Sequence, residues 1–335
     1  MRPAAPFKDG IRAAPCPACF LCAREGELLY ATLRDHLAET GGAWNVRRCV
    51  DTDCGLLWLD PKPLAADLLK AYARYHTHAA PGARSAARFC ASALNATCRI
   101  ASRLLSAFSG LGEQRRQLKR MYVGGEKPGR LLEIGCGGGR FLNRMRQAGW
   151  AVEGVDFDPN AAARIARKYG IRVSTGDLVD IRYGGESFDV VAMSQVLEHV
   201  HDPLPLLQEC RRVLRPGGCL VVTTPNALSL AHRIYGRSWR GLEPPRHLQI
   251  FTPGALENCA RRAGFEEIRT QTLSSESAGI YRVSEELKES EEGAGRKRSP
   301  AGRILRSWVM QHVEFNRTSQ DPRLGEDILM IARRK

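Results

Sequence analysis

From residue 130 onward the chain alternates short apolar runs with longer segments whose apolar residues recur at helical spacing. The runs are RLLEIG (130–135), AVEGVDF (151–157), IRVSTGD (171–177), DVVAMSQ (189–195) and CLVVTTP (219–225). Between them lie GRFLNRMRQAG, PNAAARIARKYG and PLPLLQECRRVLRPGG. Two of these helices stop at Gly149 and Gly170 and the third at Pro216-Gly217-Gly218, residues that end a helix by a left-handed cap or a missing donor. Strand, helix and strand joined by short loops predict an α/β doubly wound architecture, a mostly parallel sheet covered on both faces. A helix near 253–263, a strand FEEIRTQTL and a last strand DILMIARR follow. Before that last strand a polar insert near 284–320 carries an acidic run, EELKESEEG, and a basic one, RKRSPAGR, and reads as mobile.

The pattern before residue 129 is of another kind. Residues 1–15 are Pro/Ala-rich and read as disordered. Residues 16–63 hold five cysteines and end in GLLWLDPKP, a short strand stopped by Pro61 and Pro63. Residues 64–128 read as a helical connector, in which Phe89, Leu94, Ile100, Leu104, Leu105 and Phe108 fall at roughly helical spacing. Four parts are therefore expected: 1–15, 16–63, 64–128 and a domain over 129–335.

Composition narrows the setting. A chain of 335 residues that is 43% hydrophobic supports a real core and more than one ordinary domain. It has no run of about 18 apolar residues, the least a membrane-spanning helix needs. The first residues lack the apolar segment of a secretory signal. The eleven cysteines are odd in number and scattered through predicted helices and strands. That suits a reducing, cytoplasmic setting with some thiols on a metal better than a disulfide framework. The net charge is +14. Half of it sits in residues 80–120, where eight Lys/Arg face one acid, 8 − 1 = +7. Such a stretch suits a solvated connector, a phosphate backbone or an anionic membrane surface.

The most informative letters are EIGCGGGR, residues 133–140. A strand that breaks into a glycine loop in an open parallel sheet marks the first place to look for a ligand. The loop places Gly135, Gly137 and Gly139 in alternation. A dinucleotide loop, G-x-G-x-x-G, needs glycine where Arg140 stands, and a phosphate loop needs a terminal Gly-Lys-Ser/Thr that is absent. The pattern Glu133-x-Gly135-x-Gly137-x-Gly139 resembles the first motif of class I S-adenosylmethionine-dependent methyltransferases. The resemblance continues through Asp156 at the end of the second strand, through STGDLVDI, through FDVVAMSQVLEHVHDP and through RRVLRPGGCLVVTTPN. It implies a seven-stranded Rossmann-like sheet. It also implies that Asp156 accepts the ribose hydroxyls, that Asp177 meets the adenine amino group with Leu178 packed near the ring, and that Gln195 lies at the cofactor edge. Two histidines stand as general-base candidates, His199 in LEHVHDP and His247 in PPRHLQIF, because an imidazole titrates near neutral pH. Tyr235, Trp239, Arg240, Arg246 and His247 would line the acceptor side, in residues 227–251.

The cysteines of the front carry the second signal. Cys19-x2-Cys22 and Cys49-x4-Cys54 are two pairs able to place four thiolates around a structural zinc ion. Cys16 offers a competing Cys16-x2-Cys19 pair. The segment is similar to the zinc-ribbon-like front of a bacterial methyltransferase subfamily, and that resemblance favours Cys22. The combined reading is methyl transfer to oxygen, nitrogen or carbon of a small-molecule or glycan-type acceptor. An RNA methyltransferase with a zinc-ribbon recognition module is the alternative. A non-enzymatic role with a peripheral membrane contact through residues 85–108 is the third.

Overall fold

The computed structural model describes residues 10–36, 40–72, 110–293 and 298–335. The amphipathic segment 85–108 and most of the basic stretch 80–120 lie outside these residues. In chain order the strands are β1 (Ala13–Ala14), β2 (Glu27–Leu33), β3 (Trp44–Arg48), β4 (Leu57–Leu59), β5 (Lys62–Pro63), β6 (Arg130–Ile134), β7 (Ala151–Asp156), β8 (Val173–Thr175), β9 (Phe188–Ser194), β10 (Leu214–Pro225), β11 (Gln249–Ile250), β12 (Glu266–Leu273) and β13 (Asp327–Arg333). The α-helices are α1 (Gly110–Leu118), α2 (Arg140–Gln147), α3 (Pro159–Tyr169), α4 (Leu178–Ile181), α5 (Pro203–Val213), α6 (Leu230–Tyr235), α7 (Pro253–Arg262), α8 (Ser277–Glu291) and α9 (Pro300–Thr318). The chain forms two compact units, one of Met1–Gln114, Asn226–Thr252 and Thr272–Asp327, the other of Arg115–Pro225, Pro253–Gln271 and Ile328–Lys335.

The second unit is built on a seven-stranded sheet of order β12-β13-β10-β9-β6-β7-β8. β6 pairs in parallel with both β7 and β9, and β10 extends β9 in parallel. The sheet forms because its central strands are apolar on both faces: Val190 to Met193 and Leu131-Leu132 are all buried. Helices cover it with caps that the sequence supplies. Asp158 accepts from the Asn160 amide ahead of Pro159, and Gly170 ends α3 in the left-handed region. Asp202 caps α5 in the same way, again ahead of a proline. β6 starts the fold, β7 and β8 add on one side and β9 and β10 on the other. The gap between β6 and β9 is thus where strand order reverses, and ligands bind at the carboxyl ends there.

The first unit centres on a four-stranded sheet of order β11-β4-β3-β2. Its core joins Trp44, Val46, Leu57 and Leu59 of the front module to Tyr235, Trp239, Leu248 and Ile250 of the stretch after β10. The division differs from the one drawn from the sequence at residue 129. Residues 226–252 supply β11 to β4 and so fold with the cysteine module. The polar stretch read as a mobile insert is helical over Ser277–Glu291 and Pro300–Thr318. The sequence misleads because the face that α9 buries beside Ile304 consists of Ser307, Gln311 and Glu314, while Leu305 and Val309 stay exposed.

That inverted helix gives the unit a buried acid pair. Glu314 and Glu326 are 0% and 2% exposed. Glu314 accepts the Glu326 amide at 3.0 Å, and Glu326 accepts Trp239 Nε1 at 2.9 Å. Tyr281, Ser274 and Asp327 face Glu314, and Ser229 faces Glu326. Burial pushes the Glu314 carboxyl up to about 7, and burial together with Glu314 pushes Glu326 well above the ordinary range. The folded unit therefore holds protons that the unfolded chain releases, and stability falls as pH rises from the unfolded value of 4.5 to about 7. Each pH unit crossed in that window costs about 1.4 kcal/mol, so the loss from Glu314 is about 3 kcal/mol. Urea unfolding of the full chain across that window should show Glu314→Gln flattening the decline relative to the parent. Equal slopes for both proteins would refute the assignment.

Candidate cofactor site and metal centre

The glycine loop lies at the carboxyl end of β6, between that strand and α2. A Cβ at Gly135 would stand 2.5 Å from Val196, and one at Gly139 would stand 2.8 Å from Ile165, both at positive φ. Packing and backbone geometry exclude a side chain at either position. A Cβ at Gly137 or Gly138 would meet nothing within 4 Å. The tip of the loop therefore borders open space. α2 begins at Arg140 with no side-chain cap from Gly139, and the Leu142 amide in its first turn is taken by Glu133.

Two carboxylates serve this loop. Asp156, 5% exposed at the end of β7, accepts the Gly137 amide at 2.7 Å through one oxygen and the Asp158 amide at 3.0 Å through the other. Oδ1 retains a second lone-pair site for a ribose hydroxyl, and the second site of Oδ2 meets only the weak Cys136 thiol donor at 3.8 Å. Glu133 is buried one strand away, opposite Gly154 of β7. Burial, and then the neighbouring Asp156, hold its carboxyl well above the usual range, opposed by the Leu142 amide in the first turn of α2. One of its oxygens has no protein partner. A glycine tip facing open space, a shared carboxylate and an orphaned buried oxygen fit an adenosine-bearing ligand with a polar tail.

The other sequence-predicted positions lie along the same sheet edge. Asp177 is exposed at the end of β8 and caps α4 by accepting the Val179 amide at 3.1 Å, with Leu178 buried behind it. Gln195 is exposed directly after β9, in the left-handed region at φ 55°, its amide held by the Thr223 carbonyl. His199 closes the next turn with its Nε2 3.9 Å from Glu198. Glu198 itself is fully buried and accepts Thr224 Oγ1 at 2.9 Å. Sequence reasoning passed over Glu198 in favour of its histidine neighbours, and only burial marks it. Phe157 was also missed: beside Asp156, it is a large apolar side chain left 55% exposed.

His247 belongs to the first unit and is 7% exposed. Its Nδ1 is 2.7 Å from the Gly241 carbonyl, which only accepts, so Nδ1 carries the proton and Nε2 holds the lone pair 3.5 Å from Glu243. Burial, and then the guanidinium groups of Arg240 and Arg246, lower its pKa to about 3. A neutral imidazole with so little basicity serves better as a hydrogen-bond acceptor than as a base. Trp239 and Arg246, expected on the acceptor side, are core residues at 1% and 0% exposure.

The cysteine reading takes a definite form. The sulfurs of Cys19, Cys22, Cys49 and Cys54 all lie within 4.8 Å of one another. Each pair sits on a turn whose amides are engaged: Ala23 bonds back to the Cys19 carbonyl, and Gly55, at φ 54°, bonds back to Asp51. Cys16 is outside the cluster, its amide on Asp60 and its carbonyl on Trp58 Nε1. Four soft sulfur donors at this spacing could hold zinc tetrahedrally and leave no open position.

Comparison with known proteins agrees with this geometry. Residues 110–270 match the family model described as a methyltransferase domain. Over 150 residues the chain is 38% identical to a ubiquinone biosynthesis O-methyltransferase of Cereibacter sphaeroides, a match covering 42% of this chain and 61% of that protein. Over 139 residues it is 33% identical to a probable S-adenosylmethionine-dependent methyltransferase of Mycolicibacterium smegmatis, covering 41% and 51%. A crystal structure of such a methyltransferase from Archaeoglobus fulgidus is similar at 21% identity and a TM-score of 0.45, over 67% of this chain and 92% of that one. The chain thus spans 61% of the length of the first of these curated relatives. With the glycine loop and the strand-end acids in place, residues 110–270 match a methyltransferase domain and are similar to those of S-adenosylmethionine-dependent methyltransferases.

Proposed function

We propose that the protein transfers a methyl group from S-adenosylmethionine to a small-molecule or glycan-type acceptor, with a hydroxyl oxygen as the accepting atom. The observation that carries this reading is Asp156, whose carboxylate fixes the Gly137 amide through Oδ2 at the strand-order reversal while Oδ1 keeps a lone-pair site for a ligand. The relatives named as O-methyltransferases favour oxygen. When bound, the cofactor supplies an activated methyl group on a sulfonium. The protein's part is then chiefly positioning for an in-line displacement. Gly135, Gly137, Gly139, Glu133 and Asp156 hold the donor, with Asp177, Leu178 and Gln195 around its adenosine end. His199, in the turn after β9, is the proposed base for an acceptor hydroxyl, and His247, whose imidazole is held neutral, is proposed as a hydrogen-bonding residue rather than a base. Residues 227–251 of the first unit are the proposed acceptor-binding segment. No described helix is long and apolar enough to cross a membrane.

Calorimetry tests the donor site. The parent protein should bind S-adenosylmethionine or its demethylated product, and Asp156→Ala should weaken that binding by about 100-fold. That is the cost of two hydrogen bonds to a charged acceptor at about 1.5 kcal/mol each. Absence of any binding heat for metal-replete parent protein would sink the proposal.

A further inference from the structure

Residues 226–252 leave the sheet unit after Pro225 and return to it at Pro253. The base of this excursion is closed by a bridge between Asn226 and Phe251, and the Ala227 amide bonds to the Phe251 carbonyl at 2.8 Å. The residues at its closing end, 249–252, lie against the cysteine centre. Gln249 and Ile250 pair with Trp58 and Leu57 of β4, which follows directly on the second cysteine turn. Phe251, fully buried, meets edge-on the ring of Phe20, which stands between Cys19 and Cys22, at 6.5 Å. Thr252 donates its hydroxyl to the Cys54 carbonyl at 2.5 Å, and its methyl group would lie 3.1 Å from a Cβ at Gly55. Each cysteine turn thus touches one of two consecutive residues.

We propose that metal binding at the four-cysteine centre sets the conformation of residues 226–252, with Phe251 and Thr252 as the positioning residues that transmit it. That these residues form the acceptor side rests on the reading given above; the coupling itself does not. A bound cation would join all four sulfurs and so tie the two turns to one separation, whereas without it the turns are linked at the sulfurs by weak thiol contacts such as Cys19 Sγ to Cys54 Sγ at 3.8 Å. That separation decides whether consecutive side chains at 251 and 252 can seat on both turns at once. Seated, they pin the closing bridge of the excursion and with it the path to Trp239, Arg246 and His247. Coupling of this kind is reciprocal: loosening Phe251 or Thr252 must loosen the metal.

The test uses full-length, zinc-loaded protein. Zinc release to excess chromophoric chelator is timed for the parent, Thr252→Val and Phe251→Leu. Thr252→Val removes one hydrogen bond and keeps the shape, and release should quicken about fivefold at unchanged stoichiometry. Phe251→Leu, which keeps an apolar side chain and loses the ring contact, should quicken it similarly. In parallel, hydrogen exchange before and after chelation should show protection lost over residues 246–252 and retained in β6 and β9. Parent-like release rates in both variants, or retained protection at 246–252 after zinc is stripped, would overturn the coupling. Cofactor calorimetry on the same samples reads the methyltransferase assignment separately, so either idea can fail alone.

Discussion

Replacing Cys54 by serine is expected to abolish zinc retention and to unfold the four-stranded unit at 37 °C, whereas Cys16→Ser should leave zinc stoichiometry unchanged. The contrast follows from placement. Cys54 Sγ lies 3.8 Å from Cys19 Sγ inside the cluster, while Cys16 lies outside it. A structural four-cysteine zinc site contributes on the order of 10 kcal/mol to folding in small domains. A unit of this kind has only about 5–15 kcal/mol in total. Its strands are short and β2 forms an edge, so the sheet alone is a weak scaffold. Metal content by mass spectrometry under native conditions, with thermal unfolding, reads both effects. A Cys54→Ser protein that retains one zinc and the parent's melting temperature would remove the metal centre from the account of this fold.

The sheet unit was legible in the sequence for a physical reason. Parallel strands buried on both faces read as continuous apolar runs, and all five predicted between residues 130 and 225 appear as β6 to β10. The glycine loop was legible because packing at Gly135 and Gly139 leaves no alternative residue. The four metal-site cysteines were legible because turn geometry fixes their spacing. What escaped depends on long-range pairing. Nothing local in LQIF announces that it adds a strand to WL, nearly two hundred residues earlier, so residues 226–252 were counted with the sheet. α9 escaped because its buried face is polar, and a buried Ser307, Gln311 and Glu314 invert the pattern by which amphipathic helices are recognised. His247 looked like a base because its sequence shows a titratable ring but not the two guanidinium groups and the burial that suppress its charge.

Arg246→Met is expected to destabilise the first unit by about 3–5 kcal/mol, the usual cost of breaking a fully buried ion pair from one side. Arg246 is fully buried. Its two terminal nitrogens grip Asp35 at 2.7 and 2.9 Å, and its Nε donates to Glu243 at 2.8 Å. It also donates to the Ala71 carbonyl at 3.3 Å, so one side chain ties three separate stretches of chain together. Removing it leaves two carboxylates in the interior, with Arg240 remaining beside Glu243 alone. Asp35→Asn should cost less, because Glu243 still faces the guanidinium and the amide still accepts a hydrogen bond. A double replacement by apolar residues of similar volume, Asp35→Leu with Arg246→Met, should recover part of the loss, since neither charge then remains unpaired. The sequence reading placed Arg246 among acceptor contacts, and the two roles separate in one experiment. A contact residue would raise KM for the acceptor with the urea midpoint unchanged. The buried clamp instead lowers the midpoint, and Asp35→Asn shifts it in the same direction. A parent-like midpoint for Arg246→Met would return Arg246 to the acceptor side and leave Asp35 without a structural role.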